Sequence, residues 1–130
     1  MTPKQFNTGL VTRQIADGLA GLAPLGQEGV LLQNPDASGR FPCCVLSPPI
    51  QKSLYHGFAL DLSFTVEVWA DNQLEAMGLF DMVREKLTDY CMTKTNNTPL
   101  QRDVLTEKWR FGGYFETRWN AIENRYEWNH

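Results

Sequence analysis

Side chains able to do chemistry are few in this chain, and their spacing scatters them. Of two histidines, His56 falls in a stretch of weak periodicity and His130 is the last residue. Neither stands beside a Cys or Ser in a nucleophile setting. The cysteines are Cys43, Cys44 and Cys91. An odd count with an adjacent pair does not describe a disulfide framework. Neighbours on a strand point to opposite faces, so Cys43 and Cys44 are poor joint ligands for one metal. Reduced thiols are expected, at least one of them buried. Asp61 and Glu67 share a strand face, but six residues of strand put about 20 Å between them, too far for a carboxylate pair. No phosphate loop, dinucleotide fingerprint or zinc spacing is present. No catalytic residue, cofactor or metal site is therefore expected, and the patterns do not describe an enzyme.

The basic residues need a separate reading. Arg102, Lys108, Arg110, Arg118 and Arg125 cluster late in the chain, interleaved with Trp109, Phe111, Tyr114, Phe115, Trp119, Tyr126 and Trp128. Such interleaving on a sheet can stack single-stranded nucleic acid. Glu107, Glu116, Glu123 and Glu127 are mixed in, however, and cross-strand charge pairing on an exposed face accounts for the pattern more cheaply. The net charge of −3 supplies no global field for nucleic acid. A protein–protein surface that includes Arg110 and Arg118 is the better expectation.

The elements that must position these residues follow from periodicity. A chain of 130 residues, 42% hydrophobic and 21% charged, is read as one domain, 1–130, with a core of its own. No apolar run is long enough to span a membrane. The start lacks the pattern of a secretory signal, so a cytoplasmic protein is expected. "TPKQFNTGLVTRQIADGLAGLA" reads as a helix capped by Thr2, Pro3 and Gln5, with Val11, Ile15, Leu19 and Leu22 on one side. Its internal glycines either weaken it or let it pack closely on a neighbour. Short strands are expected near 29–33 and 42–47, and "IQKSLYHG" is expected to form a projecting loop or hairpin arm. From Phe58 to Trp69 alternation is nearly perfect, which marks a long antiparallel strand with one buried face. Asp71 or Asn72 then caps a helix over 73–91, whose core stripe is Ala76, Leu79, Phe80, Val83, Leu87 and Tyr90. Leu74, Met77 and Met82 fall outside that stripe and are candidates for a second contact. "TKTNNTPLQRD" is expected to be a polar connection, Gly112-Gly113 a hairpin turn or bulge, and Asn120 to Asn124 a further turn. In the arm before the glycines, Leu105, Glu107, Trp109 and Phe111 are expected to share a strand face. The fold class is α+β, a mostly antiparallel sheet with two main helices packed on one face.

"FPCCVLSPP", then "ALDLSFTVEVWADNQLEAMGLFDMVREKL", then the late "FETRWNAIENRYEW" resemble the tail-terminator and tail-completion proteins of long-tailed bacteriophages and prophages. The likeness spans roughly residues 5 to 128. In that family a Pro-led strand precedes a long strand, a helix follows at once, and the closing strands alternate aromatic and charged residues. The resemblance implies a homo-oligomeric ring, usually hexameric, that ends the tail tube and meets the head connector. It implies a virion protein of the tail–neck junction, assembled in the host bacterial cytoplasm. Its partners would be copies of itself, the tail tube protein and the head connector or neck protein, with no membrane and no specific nucleic acid. A closed ring needs two different adhesive surfaces. Leu74, Met77 and Met82 could supply one. The "PPIQKSLYHG" arm, with Lys52 and Tyr55, could supply another or reach the tube. Trp69 could belong to either surface or simply pack on its own sheet. Another neck or head–tail stopper protein, or a small-ligand-binding α+β domain, are the alternatives. A concave site with convergent polar groups would favour the ligand-binding one.

Overall fold

The computed structural model describes residues 8–54, 59–120, 123 and 125–127. Among the described residues, two α-helices and eight strands run in the order α1 (Thr8–Ala20), β1 (Val30–Leu31), β2 (Cys43–Leu46), β3 (Ile50–Leu54), β4 (Ala59–Ala70), α2 (Gln73–Leu87), β5 (Thr93–Asn97), β6 (Gln101–Arg102), β7 (Trp109–Asn120) and β8 (Arg125–Glu127). The spine is an antiparallel pair of 12-residue strands. β4 and β7 pair along their whole length, from Ala59 opposite Asn120 to Ala70 opposite Trp109. Short strands tile the two outer edges of this pair. β3 and β2 lie along β4, with β1 parallel to β2 beyond them. β6, β5 and β8 lie along β7.

The alternation of β4 decides which face is covered. Leu62, Phe64, Val66 and Val68 are buried together with Phe115 from β7 and with Cys44 and Leu46 from β2. α2 lies across β4 and β7, and α1 lies beside α2 and over β1. α2 buries Ala76, Leu79, Phe80, Val83 and Leu87, and Phe80 meets Phe111 edge-on at 5.2 Å between ring centroids. Asn72 caps α2 by accepting a hydrogen bond from the Glu75 N–H at 2.8 Å, which satisfies one donor that the first turn leaves open. The last expected turn is a tighter 3₁₀ segment, Thr88–Tyr90. α1 buries Val11, Ile15 and Leu19, with Leu22 partly buried beyond them. Its glycine at 18 marks close packing: a Cβ there would stand 1.9 Å from the Tyr90 hydroxyl. The Thr2–Gln5 cap lies outside the described residues.

Four expectations are corrected. Gly112 and Gly113 do not form a turn; they lie inside β7. A Cβ on Gly112 would be 2.2 Å from the Val66 carbonyl oxygen, and one on Gly113 would be 2.8 Å from the Asn96 carbonyl oxygen. The glycines are there for backbone approach. A register shift does occur beside them, but in β5 between Lys94 and Asn96. "TKTNN" and "QR", read as a connection, are the strands β5 and β6; they are largely exposed, so no alternation advertises them. Residues 103–106 form a turn, which removes Leu105 from the strand face assigned to it. Finally, Ile50–Leu54 does not project as a loop; of the two alternatives it is the hairpin arm, paired with β4 in the sheet. The rest of that arm, 55–57, lies outside the described residues, as does Phe58, the expected start of the long strand.

Candidate functional site

The sheet face away from the helices carries Asp61, Ser63, Thr65, Glu67 and Trp69 from β4, opposite Arg118, Glu116, Tyr114, Gly112 and Arg110 from β7. Its charges are matched across the strands. Arg118 Nε donates to Asp61 Oδ1 at 3.2 Å. Arg110 reaches Glu67 at 3.5 Å and Asp103 at 3.9 Å. Lys108 pairs with Asp71 and stands 5.1 Å over the Phe41 ring. Burial raises the Glu67 carboxyl above its ordinary range; Arg110 pulls it back and Asp103 pushes it further up. Asp103 moves the other way, because the Thr106 N–H and hydroxyl both donate to its carboxylate. Cross-strand charge pairing is present here, but its acids are Asp61 and Glu67 of β4 with Asp71 and Asp103, not the late glutamates from which it was expected.

Trp69 is the exception on this face. It lies between its register partners Cys43 and Arg110, is 1% exposed, and has the Arg110 guanidinium 5.2 Å from its ring centre. It therefore packs within its own sheet and is not presented to a partner. Its Nε1 is buried without an acceptor. Arg110 and Arg118 are both half-buried within these pairs. Leu74 is 78% exposed and Met82 41%, both on α2 and away from the core stripe, while Met77 is half-buried. The main chain of Lys52 lies opposite Asp61; Tyr55 lies outside the described residues. The structure thus brings Trp69 and Arg110 together and leaves Leu74 and Met82 in the helical layer.

Two of the most exposed apolar side chains were not among the expected interface residues. Val104 is 81% exposed and Leu105 86%, at the tip of the hairpin between β6 and β7. Leu10, Leu32 and Ile50 are also well exposed. The available signal was Asp103 followed by Thr106, an Asp-capped turn, which the assignment of Leu105 to a strand face concealed.

Two of the three thiols are withdrawn from solvent, while Cys91 is partly buried. Cys43 and Cys44 are both fully buried. Burial pushes Cys43 up to about 12 against the pull of Arg40, and burial, then Cys43 and Glu67, raise Cys44. Among the described residues no group of three or more His, Cys, Asp or Glu could hold a metal ion, and no helix is long and apolar enough to cross a membrane. His56 and His130 lie outside the described residues. No known family model matches the chain, and no curated protein matches it.

Proposed function

We propose that this chain is a structural virion protein of a long-tailed phage or prophage, forming a hexameric ring that ends the tail tube and joins it to the head connector. The observation that carries this reading is the distribution of exposed apolar side chains over several sides of one fold. Leu74 and Met82 project from α2, Val104 and Leu105 from the β6–β7 hairpin, and Leu32 and Ile50 lie near the β1 and β3 edge. A ring subunit needs two unlike adhesive surfaces, one for each neighbour, and a further one for what it docks on. The strand-to-helix joint at 70–73, in the quoted stretch that resembles the family, supports the same reading. Only Asp71 and the cap Asn72 separate β4 from α2, which lies across the spine.

The test is light scattering on a sizing column over a range of concentrations, followed by negative-stain imaging with purified tail tubes added. Rings of uniform size that bind tube ends support the proposal. A chain that stays monomeric and fails to decorate tubes overturns it.

A further inference from the structure

The β6–β7 hairpin is an ordered presentation of apolar surface. Asp103 N–H donates to the Lys108 carbonyl at 2.8 Å and Glu107 N–H to the Asp103 carbonyl at 2.9 Å. The Asp103 carboxylate holds both the N–H and the hydroxyl of Thr106, and Glu107 adopts the left-handed conformation, φ 60°, that closes the turn. Turn tips are ordinarily polar; this one lifts Val104 and Leu105 into solvent. Because the turn is already hydrogen-bonded, burying them would cost little ordering.

Across the sheet lies a groove of about 610 Å³ between α1 and the β1 edge. Ala16, Ala20, Val30 and Leu32 line it, with Arg13 and Asp17 at its α1 side. Arg13 and Asp17 are one helical turn apart, exposed, and make no ion pair with another described residue. The hairpin is flanked in turn by Arg102 and Glu107, themselves only weakly paired at 3.9 Å. Each surface therefore offers an apolar centre with one cation and one anion beside it.

We infer that the Val104–Leu105 tip of one copy seats in the α1–β1 groove of the next, with Arg13 facing Glu107 and Asp17 facing Arg102. The inference rests on the self-assembly part of the proposed function and names the surfaces that carry it. The sheet order β1-β2-β4-β7, with β6 beyond β7, puts four strand spacings, about 19 Å, between tip and groove. One chain cannot fill its own groove. Each copy gives its tip to one neighbour and its groove to the other, a head-to-tail contact that closes into a ring when the rotation allows.

A photoreactive benzophenone amino acid in place of Leu105 tests this. Irradiation of the concentrated full chain should join two chains, with the adduct on the tryptic peptide that spans residues 14–40. Arg13→Glu, which abolishes cleavage after residue 13 and so lengthens the labelled peptide to 5–40, should lower the yield by about two- to fivefold, the range of an exposed ion pair, and adding Glu107→Arg should restore it. Circular dichroism of each variant checks that the monomer is folded. Inter-chain adducts elsewhere, or none at any concentration, overturn the docking. Rings with adducts elsewhere would do so while leaving the ring reading intact. Adducts on 14–40 from a chain that never binds tubes would support the docking and remove the tail role.

Discussion

A methyl group added at Gly112 would collide with the backbone of β4, whereas one added at Gly78 on α2 would meet nothing within 4 Å. Gly112→Ala is expected to cost about 1–3 kcal/mol or more, because main chain cannot yield as a flexible side chain can. Gly78→Ala should instead stabilise by about 1 kcal/mol, the helix-interior difference between the two residues. Urea denaturation of both variants decides it, and equal shifts of one sign would refute the contrast. Glu67 supports a prediction in pH. Its folded-state pKa is raised above the ordinary 4.5, so its contribution to stability is fully present below that value. The contribution is lost as pH rises through the folded pKa. Glu67→Gln should remove that loss, giving a stability curve that falls less than wild type as pH rises above 4.5. Parallel curves would show that Glu67 is not a buried cost. Asp103, held low by Thr106, has the opposite sign and acts at the acid end, where its contribution is lost as pH falls.

α2 is the element on which sequence and structure agree best. Phe80 is 2% exposed and touches two aromatic rings of β7, so Phe80→Ala should cost about 3–5 kcal/mol. Asn72→Ala removes the cap and should cost about 1 kcal/mol. A thermal midpoint unchanged in either variant would mean the helix is phased or bounded differently. The reason α2 and β4 were legible is physical: each buries one face and wets the other, and that difference is written as period 3.6 or period 2. β5 and β6 bury almost nothing, so their sequences carry no such record. Gly112-Gly113 misled for a related reason. Glycine marks any place where a Cβ is forbidden, and a turn is only one such place. On the open face, charge pairing was readable from composition, but neither its partners on β4 nor the burial of Trp69 was, since both depend on which residues the sheet register brings alongside.

At the scale of the molecule, the exposed apolar side chains bear on assembly. Leu74 is outside the core, so Leu74→Glu should leave the monomer's melting within about 0.5 kcal/mol of wild type and the oligomer seen by light scattering intact, while weakening its docking on tail tubes. Loss of the fold would place Leu74 in the core; a weakened oligomer would place α2 in the contact between copies. The edges of the sheet have a different consequence. The two 12-residue strands are paired with each other and have their outer sides tiled by strands of two to five residues. A long, exposed run of unpaired main chain is a ready template for pairing with another chain. Here the two longest strands among the described residues have paired neighbours on both sides. Neither long strand is therefore offered to another copy for main-chain pairing, and it is side chains that have to discriminate one neighbour from another.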